Sequence, residues 1–234
     1  MKVVMINGQN HKGSSYHIGR IIAQRAAEGS EITEFYLPRD LNHFCLGCYQ
    51  CLSDEKKCPY YDEKSRIEDA VKEAEVLIFT TPTYCLRASA PMKSYIDLNF
   101  INWMPHRPKS YMFHKKAVIV STAAGAGMKS AIKDIKTCLF YCGVPYIQTL
   151  GVRSQAVSWA DIEEKRKEKI TAKAQNLADR VMRKGEVRTR FVTKFMFMMM
   201  RMNMKAQDIS STPMSGDYNY WCENGWLQKK RPWK

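Results

Sequence analysis

Four cysteines, Cys45, Cys48, Cys51 and Cys58, fall within fourteen residues, with Gly47 inside the run and Pro59 directly after it. Thiolates are soft ligands that suit zinc or iron–sulfur clusters, and close spacing lets backbone turns fold several sulfurs around one centre. Zinc sites more often draw on two separated pairs, so three cysteines at every third residue favour a cluster over zinc. Free thiols in a surface loop would read the same way, and spacing alone leaves all three readings open. The other four cysteines are scattered. Cys138 and Cys142, four apart on a helical pattern, read as core residues. Cys85 sits where it could touch a ligand.

A second group is built for anions. Gly8-Gln9-Asn10-His11-Lys12-Gly13-Ser14-Ser15 offers backbone N–H groups, hydroxyls and positive charge between an apolar run and a helical pattern. A helix N-terminus with such a loop in front is a ready phosphate site, although a plain strand-to-helix turn has the same composition. The spacing nearly copies a nucleotide triphosphate loop, but Ser14 stands where that loop has its lysine. ATP or GTP hydrolysis is therefore rejected. Gly125-Ala126-Gly127 follows a later strand and lacks a third glycine, so it reads as a helix-opening turn. No serine–histidine–acid arrangement stands out among the five dispersed histidines.

The elements that must position these groups alternate. Residues 2–6 predict a buried strand, and Ile18, Ile21, Ile22 and Ala26 a helix stopped at Gly29. Glu31 to Leu37 predicts the second strand. Ile67, Ala70, Val71 and Ala74 mark a helix that leads into a third strand, Val76 to Thr80. A turn at Thr81-Pro82-Thr83-Tyr84 and a short helix to Leu98 come next. Ala117 to Val120 predicts the fourth strand, Ile132, Ile135, Leu139 and Cys142 a helix ending at Gly143, and Tyr146 to Val152 the fifth strand. Ile162, Ile170, Leu177 and Val181 mark a final helix stopped by Gly185. Strands alternating with helices argue for an α/β fold, a parallel sheet with helices on both faces. Ligands then bind beyond the carboxyl ends of the strands, at Gly8–Ser15, Pro82–Arg87 and Ser121–Gly127.

Past Gly185 the pattern changes to basic residues mixed with Phe191, Phe195, Phe197 and a methionine cluster, then an aromatic tail from Asp217 to Leu227. The expected division is therefore residues 1–185 as one domain and 186–234 as an extension packing on the body or on a second subunit. No apolar run approaches the roughly 20 residues a membrane span needs, and the apolar N-terminal stretch is too short for a signal peptide. Cytoplasmic residence is the expectation, and eight cysteines in a reducing compartment point to metal or redox chemistry. The net charge of +14 favours anionic partners without choosing among them. Nucleic-acid binding has only that charge behind it, with no accompanying motif.

Together these loops and the cysteine spacing resemble the NADPH-dependent FMN reductase family, and within it the iron–sulfur flavoproteins, over roughly residues 1–185. The resemblance implies a flavodoxin-like doubly wound sandwich with a five-stranded parallel sheet in the order 2-1-3-4-5. It implies FMN as cofactor, its phosphate on Gly8–Tyr16 with Gln9, His11, Ser14, Ser15 and Tyr16 in binding positions. The flavin ring is expected between Pro82, Thr83, Tyr84 and Cys85 on one side and Thr122, Ala123 and Gly125 on the other. Lys93, Tyr95 and Asp97 continue the family pattern, while Leu98 replaces its usual arginine. Cys45, Cys48, Cys51 and Cys58 match the loop that carries a [4Fe-4S] cluster, with Asp62 and Glu63 behind it. The implied activity is an NAD(P)H oxidoreductase of flavin or quinone reductase type that relays electrons through the cluster to a small-molecule or protein acceptor, in a homo-oligomer. A non-catalytic electron carrier and a zinc or thiol interaction module on the same scaffold are the alternatives.

Overall fold

The computed structural model describes residues 1–206 and 215–234. Five parallel strands form its sheet: β1 (Val3–Asn7), β2 (Ile32–Tyr36), β3 (Val76–Tyr84), β5 (Lys116–Ala123) and β6 (Tyr146–Arg153), in the order β2-β1-β3-β5-β6. A two-residue strand, β4 (Arg87–Ala88), folds back antiparallel on the end of β3. The parallel order is the expected one. The sixth strand was not foreseen, because two residues carry no readable periodicity.

Each central strand is apolar on both sides, since helices cover both faces. Val4, Ile6, Leu77, Phe79 and Ile119 point to one side. There they meet α3 (Tyr61–Glu73), α4 (Ala90–Leu98) and α5 (Met128–Tyr141). Val3, Met5, Ile78, Val118 and Val120 point to the other, against α1 (Ser14–Ala27) and α6 (Glu164–Arg183). At roughly 1.5–3 kcal/mol for each large side chain removed from water, these two layers supply the main driving force for folding. Gly19 lets α1 lie directly on the sheet: a Cβ there would run into Thr80 Cγ2 and come within 2.9 Å of Met5 Cε.

A short helix, α2 (Gln50–Ser53), carries Cys51 and lies in the long connection between β2 and α3. The C-terminal segment forms α7 (Phe191–Ala206) and α8 (Ser215–Glu223). Phe197 stacks on Trp221 at 4.8 Å between ring centroids and meets Phe113 edge-on at 5.9 Å. With Met104, Met204, Trp226 and Leu227 they make a third apolar cluster against the body. Arg201 Nε donates to the Trp226 carbonyl at 2.8 Å and so holds the closing turn of the chain. Among the described residues no helix is long and apolar enough to cross a membrane.

Candidate functional site

The first loop leaves β1 at Asn7 and enters α1 at Ser14. Its start is pinned from three directions. Gly8 N–H donates to the Thr80 carbonyl at 2.7 Å. The Ser89 hydroxyl donates to the Gly8 carbonyl at 2.6 Å. Thr80 Oγ1 donates to the Asn7 side-chain oxygen at 2.7 Å. A Cβ at Gly8 would stand 2.7 Å from Ser89 Oγ and 3.0 Å from the Thr80 carbonyl, so only glycine fits. The helix that follows begins at Gly13 without a side-chain cap, which leaves its first N–H groups open to an outside acceptor. Ser14, Ser15 and Tyr16 are buried against the body, Gln9 is half-buried, and His11 and Lys12 are exposed at the rim. Lys12 Nζ lies 5.4 Å from the Tyr16 ring centroid, over its face. Among the described residues this is a cradle of uncapped donors with positive charge at its edge, and its residues fit a phosphate.

The expected turn at Thr81–Tyr84 needs correcting. Those residues continue β3, and the chain reverses two residues later, at Cys85 and Leu86. Both central residues have left-handed backbone, φ 48° and 63°, in a position that favours Asn-Gly. Holding two side-chain-bearing residues there costs on the order of 1–2 kcal/mol each, and such strain gathers at ligand sites. The hairpin stays folded because Arg87 is anchored on α5: its Nε donates to Asp134 Oδ2 at 3.0 Å. Tyr84, Cys85 and Leu86 are exposed on its outer face, whereas Pro82 and Thr83 are half-buried.

The loop after β5 lies against this hairpin. Thr83 Oγ1 and Ser121 Oγ share a hydrogen bond of 2.9 Å, and Gly127 packs so closely that a Cβ would stand 2.9 Å from the Leu86 Cα. Thr122 is buried, Ala123 half-buried and Gly125 exposed. Arg153, at the end of β6, donates through Nε to the Gly125 carbonyl at 2.9 Å. The three loops therefore converge on one crest of the sheet. Ser89, Asp134 and Arg153, which hold them there, carry no local motif and were not foreseen from the sequence. Lys93 and Asp97, by contrast, pair with each other on α4 at 2.7 Å.

The four clustered cysteines line one cavity of about 380 Å³, together with Tyr49, Pro59, Tyr60, Asp97 and Phe100. Cys45 and Cys48 are exposed, and Cys51 and Cys58 half-buried. Burial first, and then the neighbouring Cys58, push the Cys51 thiol above its ordinary value, while Lys64 pulls the other way. Lys64 is itself 1% exposed, and among the described residues its ammonium has no hydrogen-bond partner. An uncompensated buried cation is costly, and an anionic thiolate centre next to it would remove that cost. The donor chemistry thus fits a soft metal centre. The sulfurs as placed are not drawn together: among the described residues no three cysteine, histidine or carboxylate groups stand close enough to hold a metal ion. Glu63, behind the loop, bonds His43 Nε2 at 3.0 Å.

An open parallel sheet with its loops gathered at the carboxyl crest, one of them an uncapped anion cradle, defines a flavodoxin-like α/β protein. The model of the NADPH-dependent FMN reductase family matches residues 1–157, and the chain belongs to that family. It is 26% identical over 129 residues to an iron-sulfur flavoprotein of Archaeoglobus fulgidus, covering 53% of this chain and 56% of that one. With an iron-sulfur flavoprotein of Methanocaldococcus jannaschii it shares 30% identity over 143 residues, 58% of this chain and 69% of the relative. The chain thus spans a little over half the length of the Archaeoglobus relative it matches. Among solved structures, an FMN-dependent NADH-azoreductase of Bacillus anthracis in complex with FMN superposes with a TM-score of 0.61 at 13% identity, over 78% of this chain and 100% of that one. That likeness is one of fold.

Proposed function

We propose that this protein is an FMN-dependent NAD(P)H oxidoreductase of flavin or quinone reductase type, working in the cytoplasm as a homo-oligomer. The observation that carries the reading is the position of the three loops. All lie within the span matched by the family and are tied to one another by Gly8–Thr80, Ser89–Gly8 and Thr83–Ser121 bonds. The open N–H groups of α1, with Gln9, His11, Ser14, Ser15 and Tyr16, would take the FMN phosphate. Pro82, Thr83, Tyr84 and Cys85 would face Thr122, Ala123 and Gly125 across the ring. Bound FMN supplies hydride acceptance and single-electron release, so the chain needs no strong acid or base of its own. Its residues bind and orient, with the hairpin at Cys85 and Leu86 and the Gly125 loop flanking the proposed ring position. Backbone donors near the ring would favour a negatively charged flavin.

Cys45, Cys48, Cys51 and Cys58 would hold a [4Fe-4S] cluster, with Lys64 as the buried counter-charge. The names of the Archaeoglobus and Methanocaldococcus relatives support this part of the reading, as does the common cavity. Anaerobic purification tests both parts separately. Yellow protein that oxidises NADPH or NADH with a quinone or free FMN is expected, with about four irons per chain if one cubane cluster forms. Colourless protein that takes up no FMN overturns the flavin assignment. Flavin without iron or sulfide, after reconstitution, overturns the cluster alone.

A further inference from the structure

The aromatic tail has no part in the reading above, yet its first helix reaches the cysteine loop. Asp217 on α8 is wholly buried and accepts two hydrogen bonds, from the Arg107 guanidinium at Nε, 2.8 Å, and from the His106 imidazole at Nδ1, also 2.8 Å. The same Arg107 guanidinium donates through Nη2 to the carbonyl of Leu52, the residue after Cys51. Next to Asp217, Gly216 lies flat on this junction. A Cβ there would stand 2.6 Å from the Leu52 carbonyl oxygen and 2.7 Å from that of Ser53, and would strike the Arg107 guanidinium.

The other end of the loop is tied by the same segment. Lys109 Nζ donates to Glu55 Oε2 at 2.8 Å, and the Glu55 carbonyl in turn accepts from the Cys58 N–H at 3.2 Å. From α8, Tyr220 donates its hydroxyl to the Pro108 carbonyl at 3.0 Å, and Trp221 Nε1 donates to that of His106 at 2.6 Å. Residues 106–109 are thus a strap, held from behind by α8, with one cation on the Cys51 side and another on the Cys58 side.

We infer that the C-terminal extension is a positioning element of the thiol site: Asp217 orients Arg107, and Arg107 and Lys109 fix the backbone that presents Cys51 and Cys58. Arginine suits this place because its planar fork reaches the carboxylate and the carbonyl with separate nitrogens held in one fixed geometry, whereas a lysine offers only a single ammonium on a flexible stem. The inference rests on reading the four cysteines as one site, but not on what they bind.

The test is residue-resolved alkylation of the full-length, metal-free protein by iodoacetamide, followed by mass spectrometry. In Asp217→Asn and Arg107→Lys, Cys51 labelling is expected to rise about tenfold or more, with buried Cys138 and Cys142 still protected and exposed Cys45 unchanged. Lys109→Met, which leaves the buried Asp217 pair intact, is expected to raise Cys58 labelling in preference to Cys51. A Cys51 rate within twofold of the parent in folded Asp217→Asn overturns the inference. So does a parallel rise at Cys138 and Cys142 in Asp217→Asn when Lys109→Met leaves Cys58 unmoved, since Asp217 would then serve general stability. Iron content after reconstitution is read on the same variants. A parent chain that binds no iron removes the cluster while the thiol rates still decide the strap.

Discussion

Gly8→Ala is the most demanding test of how the crest is assembled. Gly8 does not have positive φ, so the substitution costs space and not backbone strain. The added methyl would stand 2.7 Å from Ser89 Oγ, 3.0 Å from the Thr80 carbonyl and 3.2 Å from Met92 Cβ. Two of these neighbours cannot swing away, because the Thr80 carbonyl belongs to a central strand and Met92 is fully buried. Overpacking of this kind costs about 1–3 kcal/mol. Displacing Ser89 also forfeits its bond to the Gly8 carbonyl, worth about 1 kcal/mol. A total near 3 kcal/mol corresponds to a fall of about 6–12 °C in Tm for a chain of this length. Adding Ser89→Ala removes the shortest contact, so the glycine substitution should cost less in that background, with a coupling of about 1–2 kcal/mol. Thermal and urea unfolding of the four proteins of the cycle measure it, and flavin fluorescence titration follows FMN affinity. A single variant melting within a degree or so of the parent, or effects that simply add, would refute this account of the loop.

Two further outcomes are expected. Ser14→Glu combined with Ser15→Glu places carboxylates on the open N–H groups of α1, and FMN retention on gel filtration should be lost; unchanged retention would move the phosphate elsewhere. Lys115 is buried, with its ammonium on the Lys72 and Ala74 carbonyls, and burial holds its pKa below the ordinary 10.5. Between the two values the unfolded chain binds the proton more tightly, so this lysine's contribution makes stability rise with pH there. Tm measured from about pH 8 to about pH 10 should climb less steeply in Lys115→Met than in the parent; equal slopes would show that Lys115 titrates as an ordinary lysine.

Much of the framework is local and was legible as such. Apolar runs such as Val3 to Ile6 and Val76 to Phe79, separated by helical stripes such as Ile18, Ile22 and Ala26, state the layers, because a strand covered on both faces reads as an unbroken apolar run and a helix as a stripe at 3.6-residue spacing. The glycines and serines of the first loop are contiguous, and so are the four cysteines, so each group could be read before any fold was known. The hairpin was not legible, since Cys85 and Leu86 lack the Asn-Gly signal and the contacts that hold it come from afar: Asp134, 47 residues beyond Arg87, binds that arginine, and Gly127 packs on Leu86. Neither was the seam between Ser89 and Gly8, 81 residues apart, nor that between Asp217 and Arg107, 110 apart. Such contacts leave no periodic trace, because a hydrogen bond or a buried ion pair depends on where two distant segments are brought, and the packing of layers alone decides that.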